Sequence, residues 1–274
     1  MVSVSANFFR AEIEEESRLL SAATVRPKAN PFRRLPESPL SQRSIGVGEI
    51  ERNPGSNRDI SRVVASLPGV GTVNAGGYRN DVLVRGGGPS ENKFFFDGIE
   101  IPTVNHFSTQ GSSGGPVGII DADFIREVNF YSGSFPVARG GSLSSVLDFR
   151  LKDGDPAQNR YKFTVGASEA GFSTNGHLSD RTNFLFSVRR SYLEFLFKAI
   201  GLPFLPSFTD AQFKIETRFD NKHELTFLGI AGIDNMSLND DSGGKENNEY
   251  ILAYLPVIQQ EVFTLGTEIG RAHV

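Results

Sequence analysis

Three residue types that together make a nucleophilic site stand close in the chain as Asp97, His106 and Ser108. A serine this near in sequence to its base, with no strained strand-to-helix elbow around it, is badly placed to attack, so hydrolysis is not expected. The other cluster with chemical potential is the glycine-rich "RGGGPSENKFFF", Arg85 to Phe96. A phosphate cradle needs Gly-x-x-x-x-Gly-Lys-Ser/Thr running into a helix, so that backbone N–H groups point at the anion. No Gly-Lys-Ser/Thr follows here and Lys93 opens a strand, so Gly86, Gly87 and Gly88 are expected to make a hairpin turn at positive φ. The sequence holds no cysteine and only four scattered histidines, too little for a zinc or haem site, and no metal or cofactor is expected.

Bulk composition narrows the classes further. The 274 residues carry a formal net charge of -4 with Lys and Arg dispersed, so no basic footprint for nucleic acid is present. Phe is frequent at 23 and Gly at 29, and no apolar run approaches twenty residues, which excludes a membrane-spanning helix. The opening "MVSVSANFFRAEIEEES" lacks the basic and apolar regions of a secretory signal. This predicts either a protein kept inside the cell or a Met1 that is not the natural start.

The elements that must position these residues fall into two halves. Residues 2–9 alternate as one strand, and Val25 to Ser44 carries four prolines and reads as an extended connector. In "SNRDISRVVASLPGV" Ser56 and Asp59 have capping-box spacing, and Ile60, Val63, Val64 and Leu67 fall on one helical face before Pro68 and Gly69 stop it. "DVLVR" and "KFFFDGIEI" read as strands, "DADFIREV" as a short helix capped by Asp121, and "EVNFYSG" as a strand. In "SSVLDFRLKDG", Leu147, Phe149 and Leu151 alternate with polar positions, a strand with one buried face. Beyond Asp153 to Asn159 helical periodicity disappears. "RYKFTVGAS", "TNFLFSVRRSY", "AQFKIETRF", "HELTFLGIAG" and "QEVFTLGT" then alternate with period two, and Tyr161, Phe163, Val165 and Ala167 share one face. The tight turns "SDRT" and "DNK" contrast with long loops at Leu193 to Ser207 and Leu238 to Asn248, the habit of an antiparallel barrel with unequal rims.

The blocks "DISRVVASLPGV", "NDVLVRGGGPSENKFFFDGIEIP", "IIDADFIREVNFYSGSFPVARGGSLSSVLDFRLKDG" and "LFSVRRSYLEFLF", in this order, resemble a TonB-dependent outer-membrane receptor of the kind common in Bacteroidetes. The resemblance runs from about Val25 to Thr267. It implies a mixed α+β plug domain over residues 25–152, followed over residues 159–267 by the first strands of an antiparallel transmembrane β-barrel. Residues 1–24 are then an N-terminal strand and connector, with residues 2–9 as the last strand of a preceding small β-sandwich being the alternative. A plug of this length is a globule of diameter ~35 Å, whereas eight strands close at a radius of only ~8 Å and 22 strands at ~22 Å. Only the large barrel contains it, so a sheet of about six strands with two open edges is expected to be a fragment. The ending "EIGRAHV", Glu268 to Val274, is what a sequencing adapter gives when read in frame, so residues 268–274 are expected not to be native.

The resemblance also implies roles. Arg85-Gly86 and Asp97-Gly98 match the family's Arg-Gly and Asp-Gly, with Arg85 and Asp97 expected to form a structural ion pair that holds or gates the plug. Gly140 and Gly141 bend the chain into the last plug strand. The polar loop Pro102 to Gly118 offers His106, Phe107 and Gln110 as substrate contacts at the external end, an ordinary solvated loop being the alternative. Strand alternation turns one of Arg189 and Arg190 inward, toward the plug or an anionic ligand, and leaves the other at the rim. The implied activity is solute uptake without enzymatic chemistry. The implied partners are a TonB-type inner-membrane energy-transducing complex, a substrate-binding surface lipoprotein and outer-membrane lipid; no TonB box is apparent. The rival reading from another class is a secreted all-β adhesin or carbohydrate-binding module, which would be stable in water.

Overall fold

The computed structural model describes residues 41–53, 59–73, 80–109, 112, 114–166, 168–239 and 257–271. The strand expected over residues 2–9, Ser56, Gln110 and Ala167 lie outside them.

The N-terminal half is built on a five-stranded sheet ordered β1-β8-β9-β4-β5. Its strands are β1 (Gln42–Gly46), β4 (Asn92–Phe96), β5 (Ile99–Ile101), β8 (Ile125–Tyr131) and β9 (Ser145–Leu151). A separate ribbon pairs β2 (Val70–Val73) with β3 (Asp81–Val84), and β6 (Asn105–His106) pairs with β7 (Val117–Gly118). Two short helices, α1 (Val47–Arg52) and α2 (Ile60–Ala65), pack alongside. The α2 cap is Asp59 itself, whose carboxylate accepts from the Ser61 N–H at 2.9 Å, so the helix starts later than the Ser56 spacing suggests. Ile60, Val63 and Val64 are buried as their helical spacing requires. β1 occupies the end of the segment expected to be a connector, and its Ile45 enters the core.

Three further expectations are corrected. The segment Asp121 to Val128 is not a helix. The Asp121 carboxylate accepts from the Asp123 N–H, turning the chain, and Ile125 to Val128 join β8, where pairing with β1 and β9 outweighs weak helical periodicity. β9, between β8 and β4 in the sheet, is buried on both faces. One face meets the main core and the other packs Val146 with Phe95, Tyr131 and Phe135. Finally, β3 and β4 do not form a hairpin around Gly86 to Gly88. β3 belongs to the ribbon and β4 to the main sheet, and the tight hairpin is β4–β5, where Asp97 and Gly98 both take positive φ (49° and 97°) as the Asp-Gly turn signal demands.

The C-terminal half is one antiparallel sheet in chain order: β10 (Arg160–Val165), β11 (Glu169–Ser179), β12 (Thr182–Ser191), β13 (Phe204–Arg218), β14 (His223–Leu238) and β15 (Ile258–Arg271). β10 and β15 are its two edges, so it is an open wall of six strands. Turns at Asp180–Arg181 and at 219–222 mark one rim. At the other rim lie residues 192–203, which include helix α3 (Leu193–Ala199); β14 also ends there and β15 begins there, and the first connection, between β10 and β11, is short. β13 starts at Phe204, so this loop is shorter than expected.

The wall's two faces differ in kind. Tyr161, Phe163 and Val165 are 65%, 80% and 81% exposed, and Phe186, Phe227, Phe263 and Leu265 look out beside them. The opposite face buries Ser187, Asp210, Gln212, Lys214 and Glu216, and adds Leu185, Leu228 and Ile230 to the core of the N-terminal half. Apolar outside and polar inside reverses the ordinary arrangement and suits a wall set in hydrocarbon. The outward row from Thr182 to Arg190 spans eight residue steps of β12, about 27 Å of strand and about 20 Å along the normal at ~40° tilt, close to the ~25 Å of an outer-membrane band.

Candidate functional site

Of the charged side chains that sequence reading singled out, His106, Asp97 and Arg189 lie at the seam between the N-terminal half and the wall, in two clusters. In the first, Thr103 to His106 leads into β6, and the His106 side chain is fully enclosed. Its Nδ1 lies 2.6 Å from Asp234 on β14 and its Nε2 lies 3.0 Å from Asp210 on β13. Phe208 of β13 stacks on the imidazole at 4.2 Å between centroids. The second oxygen of Asp234 accepts from the Phe107 N–H at 2.6 Å. Arg189 of β12 completes the group. Its Nε donates to Asp210 at 3.0 Å, and its Nη2 donates to the carbonyls of Gly118 and Ile119 at 2.9 Å each. Of the arginine pair, Arg189 is therefore the inward one, on the N-terminal half. Arg190 is exposed at the edge of the outward apolar band.

His106 and Phe107 thus do not stand on an ordinary solvated loop. Both are buried against the wall, because each carries a polar group that a strand carboxylate satisfies. The pKa of His106 is raised. Burial alone would lower it, but the hydrogen bonds and charges of Asp210 and Asp234 outweigh that effect. The loop is anchored behind as well: Asn105 donates to the Asp59 carboxylate at 2.7 Å and accepts from Ser61 at 2.8 Å, which ties it to the start of α2. Gly115 has no room for a side chain, since a Cβ there would collide with the His106 carbonyl.

The second cluster centres on Lys214 of β13. Its ammonium lies 2.8 Å from Asp97 in the β4–β5 turn, 3.3 Å from Asp153 in the connection to the wall and 3.5 Å from Glu216. The expected Arg85–Asp97 pair does not form. No ion pair or hydrogen bond joins the two, Arg85 is exposed at φ 51°, and Asp97 is satisfied by the wall instead. The buried carboxylate within the N-terminal sheet is Asp148, held at 3.0 Å by both Arg139 and Arg150. Arg139 also sits 4.7 Å over the Phe95 ring.

The glycine signature separates by cause. Gly86 and Gly141 need positive φ (82° and 81°). Gly87 needs space, since a Cβ would lie 2.5 Å from Ser144 Oγ. Gly88 and Gly140 have neither demand, their nearest contacts being 3.6 Å away. Members of the supposed catalytic trio are dispersed: Ser108 Oγ pairs with Thr103 Oγ1 at 2.6 Å, and Asp97 with Lys214. Sequence reading missed Asp210, Asp234 and Lys214. Their signal was charge confined to the inward parity of strands whose other parity is apolar.

An N-terminal domain packed on the polar face of an antiparallel wall whose outer face is apolar is the arrangement of a plugged barrel. Residues 34–145 match the TonB-dependent Receptor Plug Domain. Residues 34–145 are thus a plug domain of the TonB-dependent receptor kind. The plug is followed by six strands of an incomplete antiparallel barrel, the arrangement of outer-membrane receptors of Gram-negative bacteria. The ferric enterobactin receptor of Pseudomonas aeruginosa, in complex with enterobactin, superposes with a TM-score of 0.53 at 14% identity, over 83% of this chain and 38% of that one. The outer membrane transporter YddB of Escherichia coli gives 0.50 at 14% identity, over 72% and 33%. The alcaligin receptor FauA of Bordetella pertussis gives 0.50 at 15%, over 73% and 33%. The chain therefore spans well under half the length of these receptors, and at such identities the likeness is one of fold. No curated protein matches it significantly. Nothing in these matches separates a Bacteroidetes type from the rest.

Proposed function

We propose that this chain is the gated entrance of an energy-coupled outer-membrane receptor that imports a scarce solute. The observation that carries the reading is the seam itself. The plug is attached to the wall by enclosed charge clusters at His106 and at Lys214, and it shares a hydrophobic core with Leu185, Leu228 and Ile230. A plug held by a few discrete polar anchors blocks the lumen at rest and can rearrange when force is applied. The work comes from a TonB-type inner-membrane complex, and the scheme needs no catalytic residue. Outer-membrane lipid covers the exposed aromatic rows, and a surface lipoprotein is a further partner of the intact receptor. Gln110, in the same loop as His106, keeps its expected role as a substrate contact.

Two of the superposed receptors are named for ferric enterobactin and for alcaligin, which makes a ferric siderophore the first cargo to test. Cells carrying the full-length gene should accumulate radiolabelled ferric siderophore, and a protonophore should abolish the accumulation. Recovery of the full-length protein from the aqueous fraction without detergent would instead favour the secreted adhesin or carbohydrate-binding reading. The exposure of Phe163 and Phe263 argues against that outcome.

A further inference from the structure

Both ring nitrogens of His106 face carboxylate oxygens, at 2.6 Å and 3.0 Å, in a site closed to water. A neutral imidazole has one N–H and satisfies only one of these acceptors; the imidazolium has two and satisfies both. The geometry is therefore that of a cation. We infer that His106 is a proton-controlled latch. As imidazolium it clamps the plug loop Val104–Ile119 to β13 and β14. On losing one proton to solvent it leaves one carboxylate facing a lone pair, and the loop detaches from the wall.

The groups around the ring fix the direction of the response. Asp210 from β13 and Asp234 from β14 both favour the cation. Arg189 from β12 lies on the far side of Asp210, bound to both of its oxygens, with Glu169 of β11 3.6 Å beyond it. Asp59 lies behind the loop and is reached through Asn105. Phe208 and Phe107 supply the remaining walls without charge. Because the folded-state pKa of His106 is raised, its contribution is complete below the ordinary value of 6.5 and is lost as pH climbs through the raised one. The latch closes in acid and opens in alkali. β1, which pairs with β8 and touches neither charge cluster, serves as an internal reference.

The inference rests on the plug reading, but its test does not require transport, so the two fail separately. The full-length receptor in detergent is followed by amide hydrogen exchange, corrected for intrinsic rates, across the pH range in which imidazolium deprotonates. Protection of Val104–Ile119 should fall by roughly a hundredfold as pH rises, while Arg43–Ile45 of β1 stays constant. In His106→Gln the loop should be weakly protected and insensitive to pH. If that variant does not fold, the nitrogen chemical shifts of the wild-type imidazole decide the matter, with protonation of both nitrogens at neutral pH expected. Three results would overturn the latch: flat protection in the wild type, a parallel loss at Arg43–Ile45, or a neutral tautomer at neutral pH.

Discussion

Replacing Lys214 by methionine isolates what the second anchor contributes. Methionine keeps most of the length and apolar stem of lysine and removes only the ammonium. Three carboxylates then lose a partner unequally. Asp153 is a third exposed and keeps Arg126 at 3.7 Å, and Glu216 keeps Arg218 at 3.3 Å. Asp97 has no such substitute. Its side chain is 12% exposed, and its remaining contact is a long hydrogen bond of 3.4 Å from the Leu151 N–H. Breaking a buried pair by removing one partner costs about 3–5 kcal/mol, and because two of the three carboxylates are compensated the lower end applies, about 3 kcal/mol. The strain falls on the β4–β5 turn, so amide exchange at Phe96 and Ile99–Ile101 in the full-length receptor should quicken by roughly a hundredfold. Asp97→Asn in the same background removes the orphaned charge, and asparagine tolerates the left-handed backbone that Asp97 adopts. The double variant should recover to within about 1 kcal/mol of wild type. Exchange unchanged by Lys214→Met, or a double variant no better than the single one, would refute the account of Lys214 as the anchor of the turn.

Two further outcomes follow from single positions. Gly87→Ala should destabilise the plug by about 1–3 kcal/mol, since its Cβ would press on Ser144 Oγ, which donates to the Val84 carbonyl at 2.8 Å; Gly88→Ala should be close to neutral, and chemical denaturation of the two variants side by side reads the difference. Phe186→Arg, in the middle of the outward band, should cost about 2–4 kcal/mol in reversible unfolding from lipid vesicles, and substantially less when the same change is made at Thr182, the band's edge.

What was legible in the sequence was what local pattern encodes. Period-two alternation located the wall strands, and the Pro68-Gly69 stop and the helical face of Ile60, Val63 and Val64 were sound because each is decided within a few residues; "KFFFDGIEI", read as one strand, instead folds back on itself at Asp97-Gly98. The other failures share a different cause. Asp121 to Val128 carries apolar residues at spacings that fit a helix or a strand, and partners far away in sequence, β1 and β9, made the choice. The seam failed for the same reason on a larger scale: His106 and Asp234 are 128 positions apart. Parity does reveal that Asp210, Lys214 and Glu216 share the inward face of β13, since Phe213 and Ile215 claim the other. Parity is silent on which plug residue each of them meets, because that depends on how deeply the plug sits against the wall, and no local pattern records the depth. A histidine in a polar, glycine-rich loop therefore reads as exposed. Only when two carboxylates are found facing both of its nitrogens does the same residue become an enclosed cation, and the loop a part of the plug that the wall holds.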